Sequence, residues 1–141
     1  MRFLPVFLDL KAGPVALIGA GELLRAKLRV LAAAGARLRV YAIDGNDDVN
    51  LSSEDAARID FAVGDPLTAD LAGIIAVVCA GAGDVGVAMS VRAKALGLPV
   101  NVMDDLEHSS FIFPAIVDRG DVVVAVGTGL PAVSASTACR T

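Results

Sequence analysis

The sequence predicts an α/β fold: a doubly wound, mainly parallel sheet with a β-hairpin extension at its C-terminal end. Three observations predict it. Short apolar runs alternate with stretches of helical periodicity, the order that parallel strands joined by crossover helices require. Three of the predicted strands end in Gly-x-Gly, at Gly19-Ala20-Gly21, Gly81-Ala82-Gly83 and Gly127-Thr128-Gly129. Beyond Asp104 the alternation stops, and short apolar runs joined by tight turns take over.

Residues 14–19, Pro-Val-Ala-Leu-Ile-Gly, read as a buried strand opening into the first glycine turn. A helix follows over 22–34, with Leu24, Leu28 and Leu31 forming an apolar stripe, Arg25 and Arg29 off it, and Gly35 as its stop. Residues 37–42 alternate polar and apolar as a strand covered unevenly. The polar stretch 43–57 reads as turns with a short helix from Ser53. Strands are expected at 59–63 and 74–79, the second leading through Ala80-Gly81-Ala82-Gly83 into a helix over 84–96 closed by Gly97. A short strand at 99–103 ends at Asp104. Then come Ser110-Phe111-Ile112-Phe113, Ala115-Ile116-Val117 and Val122 to Val126, with Asp118-Arg119-Gly120-Asp121 as a hairpin loop.

A length of 141 residues suits one domain, expected to span 1–141, and no linker or charge block divides it. The chain is apolar, with 55% hydrophobic residues and a mean hydropathy of +0.67. No apolar run reaches the roughly 18 residues of a membrane span, and the early Asp9 argues against a secretory signal. A cytoplasmic protein is expected. A subunit interface accounts for the apolar excess, which leaves monomer and homodimer both open. A net charge of −4 without a Lys/Arg stripe argues against nucleic acid. Cys79 and Cys139 have neither metal-ligand nor redox spacing; Cys79 reads as a core residue. No metal site is expected.

Glycine turns at the carboxyl ends of parallel strands suit a ligand crevice, because ligands of open α/β sheets bind there. A dinucleotide pyrophosphate needs free N–H groups at a helix N-terminus and no Cβ in its way. Gly19 permits the tight turn and Gly21 the close approach, with Ala20, Glu22 and Leu23 supplying the neighbouring backbone. Ala80 and Gly81 form the second turn. The third, small position of the G-x-G-x-x-G fingerprint is occupied here by Leu24. The acid that reads the ribose should stand near Tyr41; the nearest carboxylate is Asp44, which has a solvated-loop reading as well. A carboxylate there favours NAD over NADP, a preference that Arg37 and Arg39 would weaken.

The order of motifs resembles the N-terminal module of siroheme synthases, the precorrin-2 dehydrogenase family. The resemblance rests on Phe3-Leu4-Pro5 to Leu10 as an opening strand, on Val15 to Gly21, and on Lys27 in a helix ending at Ala34-Gly35-Ala36. Its most specific part is Asn101-Val102-Met103-Asp104 followed by Ser110 to Asp121. The resemblance implies a Rossmann-like fold and NAD-dependent oxidation of the tetrapyrrole precorrin-2 to sirohydrochlorin. It makes Asp104 the general acid/base. Some family members also insert ferrous iron, for which His108, the only histidine, has no histidine or cysteine partner near it in sequence. A substrate with many carboxylates calls for cations, and Arg25, Lys27, Arg92, Lys94 and Arg119 are the candidates. Four departures stand out: Leu24, the few polar groups around Ala80 to Gly83 and Val87, the shortened stretch Gly127 to Pro131, and the end of the chain at Thr141. The family continues there into helices that dimerise and close the site. The alternative is a non-catalytic nucleotide- or tetrapyrrole-binding relative that acts with a partner chain.

Overall fold

The computed structural model describes residues 1–46 and 48–127. The expectations about Thr128, Gly129, Leu130, Pro131, Cys139 and Thr141 lie outside the described residues. The described chain packs as two compact units: Asp9–Ser110, and Met1–Leu8 with Phe111–Gly127.

In the larger unit the order is β1 (Val15–Gly19), α1 (Gly21–Ala33), β2 (Leu38–Ala42), α2 (Ser53–Ala56), β3 (Ile59–Phe61), β4 (Ala76–Ala80), α3 (Asp84–Ala95) and β5 (Val100–Val102). Every strand pair is parallel, and the spatial order is β3-β2-β1-β4-β5. Strand order therefore reverses between β1 and β4, the switch point at which such sheets open a crevice. Fully buried strands read as apolar runs, and β1 (Val-Ala-Leu-Ile-Gly) and β4 (Ala-Val-Val-Cys-Ala) are buried at every position.

Side-chain alternation divides the core between the two sheet faces. Ala16, Ile18, Tyr41, Val77, Cys79, Val100 and Val102 pack with Met89 and Ala93 of α3. The alternate positions Val15, Leu17, Val40 and Val78 are buried on the other face. There α1 lies against β1, β4 and β2, with the predicted stripe Leu24, Leu28 and Leu31 buried. Removing each such leucine from water stabilises the fold by roughly 2 kcal/mol. Both long helices stop as the sequence predicts. Gly35 and Gly97 take positive φ and donate to Ala32 and Lys94, while Ala36 and Leu98 reach back to Leu31 and Ala93. This double bond satisfies carbonyls that a helix end leaves open. The short helix starts at Ser53 as expected and is capped by Ser52, whose hydroxyl accepts the Asp55 N–H at 3.1 Å.

Cys79 is buried, and desolvation pushes its thiol up to about 12, so it is a core residue as predicted. Among the described residues no helix is long and apolar enough to cross a membrane, and no group of three His, Cys, Asp or Glu could hold a metal ion.

In the smaller unit β6 (Ala115–Arg119) and β7 (Val122–Val126) form an antiparallel hairpin. Gly120 and Asp121 make its two-residue turn, with Gly120 at φ +73°, the arrangement that suits strand twist. One expectation is corrected. No strand forms over Phe3 to Leu10: Pro5 lacks the N–H a ladder needs, and Leu4, Val6 and Phe7 are left in solvent. Ser110 to Phe113 is not a strand; the Ser110 side chain and N–H are spent on Val100, which turns the chain at β5. The strands expected at 59–63 and 99–103 are shorter, since pairing ends at Phe61 and Val102.

Candidate functional site

The carboxyl ends of β2, β1, β4 and β5 stand side by side and carry, in that order, Asp44, Gly19 to Gly21, Ala80-Gly81 and Asp104. Three strand spacings separate the first from the last, about 14 Å. A carboxylate thus stands at each end of a row whose middle is made of small residues.

That middle is shaped by two glycines for different reasons. A Cβ on Gly19 would lie 1.7 Å from the Ala80 carbonyl oxygen, so β1 and β4 close together only around a glycine. Ala20 N–H donates to the same carbonyl at 3.3 Å and locks the turn. Gly21 has φ +68°, and a Cβ there would meet nothing within 4 Å. The first demand is internal packing; the second leaves an open cradle over the start of α1. Ala20 caps that helix without a side-chain hydrogen bond, and the N–H groups of Glu22 and Leu23 fall in the first turn, where no intrahelical acceptor exists. The second turn abuts the first: a Cβ on Gly81 would stand 2.6 Å from the Ala20 carbonyl. Leu24 sits where the glycine fingerprint wants a small residue, yet it is only 2% exposed and joins the α1 stripe. It is absorbed by the core rather than left in the crevice.

Asp44 lies two residues past β2, and its Oδ2 accepts the Gly21 N–H at 3.3 Å. Its Oδ1 accepts the Asn46 N–H at 3.1 Å, which holds the carboxylate at the glycine turn. Asp44 is exposed, and its side chain is tied to the helix start. Tyr41, where spacing alone pointed, is buried in the core beneath it. Beside this carboxylate, at the ends of β2 and β3, a pocket of about 230 Å³ is lined by Tyr41, Ile43, Phe61, Val63 and Pro66 among others.

The two arginines expected to weaken a preference for NAD are elsewhere. The Arg37 carbonyl accepts the Val15 N–H, at the opposite edge of the sheet. Arg39 donates to the Asp70 carbonyl at 3.0 Å. Glu22 is exposed and paired with Arg25 (3.3 Å) and Arg29 (2.6 Å), which hold its carboxyl below the usual range, Arg25 foremost. Its backbone, not its side chain, is what the turn presents.

Asp104 directly follows Met103, whose N–H is held by the Cys79 carbonyl at 2.9 Å. It is exposed and has φ +59°, alone in this region among the described non-glycine residues. Lys27 of α1 lies within its electrostatic reach. Burial pushes the Lys27 ammonium down, and the Asp104 carboxylate opposes that shift. Of the five predicted cations, Lys27 is the one that interacts electrostatically with Asp104. Arg25 is paired with Glu22, and Arg92 donates to the carbonyls of Pro66 (2.7 Å) and Ala69. Lys94 lies in the last turn of α3 and Arg119 in the hairpin.

Sequence reading also missed the partner of His108. Its Nδ1 is 2.6 Å from Asp105 Oδ2, an i, i+3 pair that the Asp-x-x-His spacing encodes. The His108 ring and then its backbone N–H hold the Asp105 carboxyl below its ordinary value of 3.8. A depressed carboxyl stabilises the fold fully above that ordinary value, and the contribution is lost as pH falls through the lower folded one. Asp105→Ala should therefore melt below the parent protein at about pH 6, with the gap closing below about pH 3.8. Thermal melts across that range check it, and a gap independent of pH would refute the assignment.

Comparison with known proteins bears on the whole arrangement. Residues 6–115 match the family described as "Putative NAD(P)-binding". The chain is 40% identical over 130 residues to the siroheme synthase of Ectopseudomonas mendocina (strain ymp), covering 92% of this chain and 28% of that one. To siroheme synthase 2 of Aeromonas salmonicida (strain A449) it is 42% identical, with 92% of this chain and 26% of that one covered. The chain thus spans little more than a quarter of these relatives. Among solved structures, the precorrin-2 dehydrogenase SirC superposes with a TM-score of 0.59 at 20% identity, over 96% of this chain and 67% of that one. That likeness is one of fold.

Proposed function

Since the chain belongs to this NAD(P)-binding family and is similar to siroheme synthases over 92% of its length, we propose that it is an NAD-dependent precorrin-2 dehydrogenase domain of siroheme biosynthesis. The observation that carries the reading is the row of carboxyl ends, with an open glycine cradle at its centre and an aspartate at either end. Bound NAD would supply the hydride acceptor.

Each residue then has a task. The N–H groups of Glu22 and Leu23, with the positive end of α1 behind them, hold the pyrophosphate, and Gly21 leaves room for it. Ala20, Gly19, Ala80 and Gly81 shape the walls of that approach. Asp44 accepts hydrogen bonds from the adenine-side ribose hydroxyls, and the apolar pocket by Ile43 and Phe61 takes the adenine ring. A carboxylate at that point repels a 2′-phosphate, and neither Arg37 nor Arg39 is free at the cradle to offset it, which supports NAD over NADP. At the other end, oxidation removes a hydride from one tetrapyrrole carbon and a proton from a neighbouring atom. Asp104 accepts that proton, an exposed carboxylate at a strand end being able to take it from a substrate lying on the crevice. Lys27 offsets the negative charge of the tetrapyrrole side chains near Asp104.

Thermal unfolding with NAD and with NADP tests the cofactor half. Ligand at about 100 times its dissociation constant adds roughly 2.7 kcal/mol, on the order of 5–10 °C for a domain of this size. The expected result is a shift with NAD and a much smaller one with NADP. No shift with either would end the dehydrogenase reading in favour of a relative that has lost the dinucleotide, and equal shifts would overturn the role given to Asp44.

A further inference from the structure

Two aspartates in succession follow β5, and they are held in opposite ways. Asp105 is engaged on several sides. Its N–H donates to the Val102 carbonyl at 3.0 Å. Its Oδ1 accepts the His108 N–H at 3.1 Å, its Oδ2 meets the His108 ring at 2.6 Å, and its carbonyl is 2.7 Å from the Ser109 hydroxyl. Asp104 is exposed, at φ +59°.

Left-handed backbone is disfavoured for any residue with a Cβ, and it persists where the surroundings over-determine it. Here they do. Ser109 Oγ accepts the Val102 N–H at 2.9 Å, Ser110 Oγ accepts the Val100 N–H at 2.8 Å, and the Ser90 hydroxyl of α3 donates to the His108 carbonyl. The loop from Asp104 to Ser110 therefore leaves β5 and is sewn back onto the same strand. The Asp105–His108 pair makes a side-chain-to-side-chain bond across it. The serines anchor the far end of the loop to backbone, while the Val102–Asp105 backbone hydrogen bond and the Ser109 hydroxyl on the Asp105 carbonyl fix the backbone beside Asp104. The pair bridges the end that carries Asp104.

We infer that Asp105 and His108 are positioning residues: their paired hydrogen bonds hold Asp104 in the left-handed conformation that sets its carboxylate at the carboxyl end of β5. The catalytic meaning of that position rests on the function proposed above, while the conformational claim stands without it. His108 acts here as a hydrogen-bond donor through Nδ1. An asparagine, whose amide N–H can occupy nearly the same place, should replace it where alanine cannot.

The test combines two readouts on the whole chain. In turnover of precorrin-2 with NAD, His108→Ala should lower kcat about tenfold, the scale of one lost positioning contact, with KM for both substrates within about twofold. His108→Asn should restore most of it. In thermal melts, Asp104→Gly should exceed Asp104→Ala by roughly 3–6 °C, because only glycine is free of the left-handed penalty. In a His108→Ala background that gap should fall to less than half, since the loop can then relax. An unchanged kcat in His108→Ala, a failure of His108→Asn to restore it, or an equal glycine–alanine gap in both backgrounds would overturn the inference. If His108→Ala does not fold, Asp105→Ala, which removes both carboxylate acceptors, is put through the same melts and turnover with the same expected losses. Should the parent protein itself form no NADH from precorrin-2, the dehydrogenase reading fails, and the melting comparison decides the positioning claim alone.

Discussion

Replacing Gly19 by alanine is expected to cost the fold about 3 kcal/mol or more, at the upper end of what overpacking does. The added methyl would lie 1.7 Å from the Ala80 carbonyl oxygen, and that atom is backbone in the middle of the sheet. Relief requires β1 and β4 to part, which gives up the Ala20-to-Ala80 hydrogen bond and opens the buried core on both faces. The midpoint should fall by at least about 10 °C, read by calorimetry or circular dichroism. Gly21→Ala is the informative contrast. It meets nothing within 4 Å, so its cost is the positive φ alone, about 1–2 kcal/mol. The protein should stay folded and lose its stabilisation by NAD, because the new methyl occupies the cradle. If Gly19→Ala melted like the parent, the close approach of β1 and β4 would be wrong, and with it the geometry of the site.

Asp104→Asn is the second large effect, this time on rate. A positioned general base contributes roughly 10²- to 10⁴-fold, so kcat for NADH formation should drop by that order while the NAD-induced thermal shift is retained. Asparagine suits this position, since it tolerates left-handed backbone as well as any residue with a side chain. A loss of turnover can then be assigned to the carboxyl group and not to a broken loop. Turnover equal to the parent would remove Asp104 from the mechanism.

Much of the fold was legible in sequence because its signals are local. The β1 run, the α1 stripe of Leu24, Leu28 and Leu31, the stops at Gly35 and Gly97 and the Gly120-Asp121 turn each depend on a few neighbouring residues, and each appears where expected. The opening strand did not form. Its pattern came with the family resemblance, and no ladder partner exists for Pro5 and its exposed neighbours among the described residues. The glycine cradle was legible as well, since Gly-x-Gly at a strand end is a chain-local motif.

What the sequence by itself determined is therefore the order of elements, the switch-point architecture they imply, and the identity of the residues brought to the crevice. What only the tertiary structure decided is their relations across the chain. Asp44 and Gly21 are 23 positions apart and meet at 3.3 Å. Lys27 lies on the first long helix and Asp104 after the last strand of the sheet, yet the Asp104 carboxylate acts on the Lys27 ammonium. Arg37 and Arg39 were expected to weaken a preference for NAD; the Arg37 carbonyl accepts the Val15 N–H, and Arg39 donates to the Asp70 carbonyl. The physical reason is common to all of these. Periodicity and turn chemistry act over a few residues, whereas a helix rotated by a single position or a strand placed one place over in the sheet would change every one of these pairings. That choice is made by close packing of the two sheet faces, which no stretch of the sequence encodes alone.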